Sequence, residues 1–382
     1  MFPKPSKFLI NQMKYEKSES TKPKIAHEVY NPATQTLPLW RVPHFSRGFF
    51  VFVCRRAFYS VLVILGVMTL TFFITRVLVP DPARAWAGTR ASPEEIATLT
   101  TEFHLRDPIY AQYYYYLNDL LHGNWGISPS SGQPVLYSIE LYLPATIELT
   151  AAAFLIIVVL GVPLGVIAAT HRNKLGDHLG RIVSLSGVAS PPFLLALVLQ
   201  LIFFYNLHIL PSGGRISPYI SEPPRVTGLL TVDSLIAGNW PAFESALAYL
   251  VMPAFALAFL TLGILSRLIR ASMLEALASD YVRTAKAKGL RRLLVVYKHA
   301  LKNAVVEPMT ALGVYVAFLL GGSVVIELIF SWPGIGRYAA QAALSLDLAA
   351  VMGTTLAFAI TVVIVNFLVD ILYALIDPRI RL

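Results

Sequence analysis

Four carboxylates lie within or beside long apolar runs: Glu148, Glu307, Glu327 and Asp370. A charge held in hydrocarbon costs several kcal/mol, so such a residue raises the question of ion, proton or solute handling. All four fall within a few residues of the end of a run, where water or a headgroup can reach them. Anchoring is therefore their expected role. Asn366 and Asp370 are one helical turn apart and share a face, which would point into a bundle rather than toward lipid. Gly321-Gly322, followed by Ser323, would thin a helix and could offer bare backbone and a hydroxyl to a passing solute. Gly321, Gly322, Ser323 and Asn366 are thus the candidates for a translocation pathway. Recognisable catalytic patterns are missing: the chain has no Gly-x4-Gly-Lys-Ser/Thr phosphate loop, no His-Glu-x-x-His, no Cys/His cluster and no nucleophile elbow. No catalytic residue, metal site or cofactor of its own is expected. Cys54, the single cysteine, forms no internal disulfide.

A different kind of site is suggested by the basic segment around Arg267–Asn303. From near Ser272, the residues Leu274, Leu277, Ala278, Tyr281 and Ala285 recur at helical spacing, with Glu275, Ser279, Arg283 and Lys286 around the rest of the wheel. This predicts an amphipathic helix outside the membrane. Lys286 and Lys288 suit the negative end of its dipole, and Gly289 can take the left-handed conformation that stops it. A second short helix, Leu290 to about Leu301, would turn back. A solvated connector accounts for the nine basic residues of 267–304 but not for an apolar stripe. That stripe needs a protein partner or a membrane surface, and the residues alone leave both open.

The elements that must position these groups follow from composition. Of 382 residues, 56% are hydrophobic and only 14% charged, against about 25% in soluble domains. Apolar stretches long enough to cross a bilayer fall near 57–79, 144–169, 182–206, 248–268, 305–328 and 350–373. The expected fold is all-α and integral to the membrane, with six transmembrane helices. Residues 1–56 carry ten Lys and Arg, 170–181 three, 267–304 nine and the C-terminal tail two, against six on the other side. The positive-inside rule then places both termini in the cytoplasm. Topology accounts for the net charge of +9, and no nucleic-acid module is visible. Residues 1–48 read as a disordered cytoplasmic tail and not as a signal peptide. In the opposite-side segment, Ser92-Pro93-Glu94-Glu95 reads as a helix start, and the tyrosines around Tyr113–Tyr116 as interfacial anchors. Gly161-x3-Gly165 is expected to let two helices of this chain approach closely. In Trp332-Pro333-Gly334-Ile335-Gly336 the proline and glycines predict a tight turn, the glycines permitting positive φ.

Arg283-Thr284-Ala285, three residues, Gly289, nine residues, then His299-Ala300-Leu301-Lys302 resembles the EAA signature of permease subunits of binding-protein-dependent ABC importers, E-A-A-x3-G-x9-I-x-L-P. The spacing is kept, while Arg283, Thr284, His299 and Lys302 depart from the pattern. Asp280 through Leu290 is similar to the dipeptide and oligopeptide branch. So are Phe103-His104-Leu105-Arg106-Asp107-Pro108, Gly123-Asn124-Trp125-Gly126, Leu143 through Leu149, Ser331 through Arg337 and Asp377 through Arg381. Val79-Pro80-Asp81-Pro82 stands where the branch has Pro-Gly-Asp-Pro, and the N-terminal tail is longer than typical. The resemblance implies a type I ABC importer permease fold: a cytoplasmic tail (1–48), a first span with an extracytoplasmic segment (49–143), a transmembrane domain (144–373) with a coupling loop (269–304), and a short tail (374–382). It implies that Asp280, Arg283, Thr284, Ala285, Gly289 and His299 belong to a loop that docks on a cytoplasmic ATPase. The implied partners are a second homologous permease, two ABC ATPase subunits holding ATP and Mg, an extracytoplasmic substrate-binding protein and membrane lipid. Di- or oligopeptide import across the cell membrane is the implied function. Oligosaccharide or nickel uptake by the same machinery, and an ion-gradient-driven secondary transporter, are the alternatives.

Overall fold

The computed structural model describes residues 47–87 and 91–376. Nearly all of the expected N-terminal tail, and the closing Asp377–Arg381 motif, lie outside the described residues. Among the described residues the structure is helical, with one isolated antiparallel bridge between Ile127 and Pro134. Five segments are long and apolar enough to cross a membrane: Gly48–Val77, Val135–Thr170, Trp240–Ala278, Val306–Ile329 and Leu348–Ile371. Their helices are α1 (Arg47–Phe73, continued by a π-helical turn Ile74–Leu78), α5 (Val135–Thr170), α9 (Trp240–Ala278), α11 (Val306–Ile329) and α13 (Leu348–Ile376).

The expected span 182–206 is corrected. It is not one straight helix but part of a pair, α6 (Leu175–Ala189) and α7 (Pro192–Leu199, continued by Gln200–Asn206), bent by 109°. The cause is local. Pro191 and Pro192 remove two adjacent backbone donors, and each disfavours a helical conformation in the residue before it, so Ser190 and Pro191 are extended. A lone proline is absorbed: Pro144, Pro163 and Pro253 all sit inside unbroken helices.

Around the bundle, α2 (Pro82–Ala87), α3 (Pro93–Glu102), α4 (Ile109–Leu121), α8 (Leu230–Ile236) and α12 (Ile335–Leu344) occupy the loops at the far end, away from the basic segment. Ser92 starts α3, as expected, and the structure adds a capping box: its hydroxyl accepts from Glu95 N–H and the Glu95 carboxylate accepts from Ser92 N–H. Tyr116 is buried against Phe72 of α1, while Tyr110 and Tyr114 are exposed.

The main core joins α5, α9 and α11 through Leu149, Ile157, Leu262, Ile269 and Leu312. Small residues allow the close approach. A Cβ on Gly165 would lie 2.6 Å from Ile269 and 2.7 Å from the Ser266 carbonyl, and one on Gly187 would lie 2.6 Å from the Phe259 carbonyl. The Gly161/Gly165 pair therefore packs within the chain, as its spacing predicts. The opposite faces, such as Val61, Leu62 and Leu70 on α1, remain exposed, as lipid contact requires.

Candidate functional site

The basic segment begins inside α9, which runs without a break from the far end to Ala278. Ser279 is extended, and a separate helix α10, Asp280–Ala287, follows. The amphipathic stretch therefore divides into the last turns of α9 and a short helix at an angle to it. In α10, Val282 is fully buried and Ala285 nearly so, while Tyr281, Arg283, Thr284 and Lys286 are exposed. The stripe read from the sequence placed Tyr281 inward; Val282 takes that place, because the break at Ser279 resets the helical phase.

The stop at Gly289 is built from two hydrogen bonds, Leu290 N–H to the Ala285 carbonyl (3.4 Å) and Gly289 N–H to the Lys286 carbonyl (3.0 Å). This is the Schellman pattern, with Gly289 at φ +72°. A Cβ there would meet open space, so conformation and not crowding selects glycine. Asp280 and Arg283 form a 3.2 Å ion pair whose side chains are 92% and 78% exposed. The Thr284 hydroxyl donates to the Asp280 carbonyl at 3.0 Å. His299 is half-buried in the π-helical turn Val295–Leu301, which returns to α11. Around this helix–glycine–helix unit, Tyr281, Leu293, Leu294 and Tyr297 project large apolar surfaces outward.

The basic unit is tied to the bundle by Asp177 at the start of α6. Its fully buried carboxylate accepts from Arg270 Nε and Nη2 (2.7 and 3.0 Å), from Arg181 Nε and Nη2 (3.1 and 2.6 Å) and from Asn173 N–H (2.9 Å). Arg270 lies two turns before the end of α9, so one carboxylate binds the bent pair to the helix that carries α10. Nothing in the sequence singles out Asp177, since its two partners are distant or on the same short helix.

Of the pathway candidates, Gly321 and Gly322 line a groove of about 580 Å³ with Pro192, Leu257, Tyr315 and Phe318. Ser323 points elsewhere: it is fully buried and its hydroxyl donates to the Leu320 carbonyl at 2.8 Å. Asn366 is half-buried on α13, and Asp370 pairs with Arg56 of α1.

Two of the four carboxylates are corrected. Neither Glu148 nor Glu327 is reached by water; they are 6% and 0% exposed. Glu148 accepts from Arg215 Nε and Nη2 (3.0 and 2.5 Å) and from the Thr231 N–H and hydroxyl (2.7 and 2.6 Å). Glu327 accepts from the Thr146 hydroxyl (2.7 Å) and Arg337 N–H (2.8 Å). Loops and short helices folded over the helix ends supply Arg215, Thr231 and Arg337, while Thr146 belongs to α5; of these only Arg337, ten residues on, is near its acceptor in sequence. The turn at Trp332–Gly336 is one of those loops: Trp332 is fully buried and its indole N–H donates to the Ala145 carbonyl at 2.9 Å. Neither Gly334 nor Gly336 has positive φ, contrary to the expectation. They are glycines because a Cβ on Gly334 would lie 2.5 Å from the Glu327 carboxylate and from the Thr146 hydroxyl. Next to this turn Asp233 receives Thr227 N–H and hydroxyl and Gly228 N–H; burial opposes its charge, but these donors hold its carboxyl below the usual range.

Among the described residues no group of His, Cys, Asp and Glu is arranged to hold a metal ion. Residues 161–382 match the family model described as "Binding-protein-dependent transport system inner membrane component", and residues 49–150 match its N-terminal companion model. The chain is 42% identical over 326 residues to a probable D,D-dipeptide transport system permease protein of Escherichia coli K12, covering 85% of this chain and 96% of that one. It is 39% identical to a dipeptide transport system permease protein of Alkalihalophilus pseudofirmus (86% and 99% covered) and 36% identical to one of Escherichia coli K12 (86% and 98% covered).

Proposed function

The chain belongs to the binding-protein-dependent transport system inner membrane components, and from that membership we propose that it is the permease subunit through which an ABC importer moves dipeptides. It is a multi-pass protein of the cell membrane, and its part in the cycle is translocation. The relatives' names point to dipeptides, which sets oligosaccharide, nickel and gradient-driven readings behind this one. ATP and Mg belong to two ATPase subunits, and the bilayer is completed by a second, homologous permease. An extracytoplasmic binding protein delivers the solute, and both termini of this chain lie in the cytoplasm.

The observation that carries the mechanism is the α10–Gly289 unit. It combines a buried inner face, Val282 and Ala285, with an outer face of charged and aromatic side chains that the described residues leave uncovered. Such a surface suits a cleft on a soluble partner. Movement imposed on α10 passes to α9, a 39-residue helix of about 58 Å at 1.5 Å per residue. Arg270 and Asp177 hand that movement to the bent pair, whose Pro192 borders the Gly321/Gly322 groove. ATP-driven closure of the ATPases would thus change the groove's exposure without any chemistry on this chain.

Replacement of Gly289 by Trp tests this. The side chain has open space within the chain, so insertion and accumulation in the membrane should persist. The left-handed backbone costs a non-glycine residue about 1–2 kcal/mol and shifts the outer face. Dipeptide uptake in vesicles should fall at least tenfold, while Gly289→Asn, which tolerates that conformation, should retain most of it. Full uptake by Gly289→Trp would exclude the coupling role.

A further inference from the structure

At the far end of α1 the guanidinium of Arg76 lies 5.4 Å from the ring centre of Trp86 and 5.4 Å from that of Phe103, two rings that are themselves only 4.8 Å apart and so stand side by side before it. The rings stabilise its charge through their faces. They do nothing for the N–H groups in the guanidinium plane. Among the described residues, Arg76 Nε and Nη1 are buried without a hydrogen-bond partner, and so is the indole Nε1 of Trp86, a residue only 7% exposed. Buried donors left unmade cost roughly 1–3 kcal/mol each, so three on two neighbouring residues require an explanation.

Both residues line one cavity of about 30 Å³. At roughly 10–15 Å³ for each water-sized occupant, it admits two or three non-hydrogen atoms. The cavity shares Trp86, Phe103, Asn124 and Gly126 with a groove of about 700 Å³ that leads away from it. Gly126 makes this arrangement possible: it has φ +83°, and a Cβ there would stand 2.9 Å from the Trp86 ring. The same cavity wall contains Asp119, whose carboxyl is pushed up by burial; its charge weakens the pull on any anion and opposes a multiply charged one such as phosphate most.

We propose that this cavity is an accessory site for the carboxylate of a small organic monoanion, with Arg76 and Trp86 as its donors and the rest of the molecule in the adjoining groove, against Leu99, Phe103 and Ile127 and clear of the Glu94 and Glu95 carboxylates that also line it. A planar pair of oxygens matches the fork of N–H groups that a guanidinium presents, and a spherical ion does not. The site lies apart from the Gly321/Gly322 groove, shares no lining residue with it, and does not depend on which solute the transporter carries.

The test uses the full chain in lipid nanodiscs and fluorine NMR of 4-fluorophenylacetate, with its neutral primary amide as control. The carboxylate resonance should broaden saturably and the amide's should not. Arg76→Gln and Trp86→Phe should each weaken binding at least tenfold. Trp86→Phe keeps a ring in place, so it decides the matter if Arg76→Gln fails to accumulate. Equal binding of the amide, no binding of either compound, or unchanged binding in a variant that accumulates would overturn the proposal. Displacement of the probe by an equal concentration of chloride would overturn it in favour of a halide site.

Discussion

The two ends of this molecule treat their charges in opposite ways. At the far end, Glu148 and Glu327 are shut away from water, and each is met by donors from other elements: Arg215 and Thr231 for the first, Thr146 and Arg337 for the second. At the basic end, Asp280 and Arg283 find each other while both remain almost fully exposed. A saturated buried carboxylate holds loops to helices and offers nothing to a passing solute. A shaped helix whose charges and aromatic rings are left in solvent has surface to give to a partner. The difference marks one end as internally saturated and leaves the other with surface free for the docking proposed above.

Substitutions at the two ends should separate these roles. The largest loss of stability is expected from Arg215→Ala, which leaves the Glu148 carboxylate buried without its cation and should cost about 3–5 kcal/mol. Thermal unfolding of the detergent-solubilised chain measures it, and a loss below about 1 kcal/mol would remove this pair from the far end's support. Gly334→Ala should cost less, about 1–3 kcal/mol, because its methyl would press on the Glu327 carboxylate and the Thr146 hydroxyl. A melting curve unchanged by that methyl would mean that the turn yields readily. Arg283→Ala is expected to leave the melting curve where it is, since its ion pair is exposed. Its effect belongs to transport: uptake per ATP hydrolysed should fall several-fold. A variant with altered melting and normal coupling would erase the contrast between the ends.

The last turns of α9 and the Asp177 clamp lie between these extremes. Arg270 is on a helix that both ends share, and Asp177 is as buried as Glu327. Its partners are Arg181 on its own helix, Asn173 in the turn before it and Arg270, two turns before the end of α9, the helix that leads into α10. It gives α10 a firm mounting, which a flexible connector would lack.

The sequence by itself determined the membrane, the number of apolar runs and the place of the helix–glycine–helix unit. Those properties reside in local composition and spacing: hydrophobic length sets a span, and Gly289 three residues after Lys286 sets a helix stop. The helix start at Ser92 was legible for the same reason, since the hydrogen bonds that close it span three residues. The 109° bend was only half legible: Pro191 and Pro192 mark an interruption, but no local pattern states its angle. What only the tertiary structure decided is which charges are buried and by whom they are met. Glu148 with Arg215, Thr146 with Glu327, and Asp177 with Arg270 join residues that lie 67, 181 and 93 positions apart. No periodicity or spacing encodes such pairs, because a carboxylate near the end of an apolar run looks the same whether water or a folded loop covers it. The orphaned N–H groups of Arg76 and Trp86 belong to the same class. Their burial arises from helices brought together across the fold, and their chemistry emerges only there.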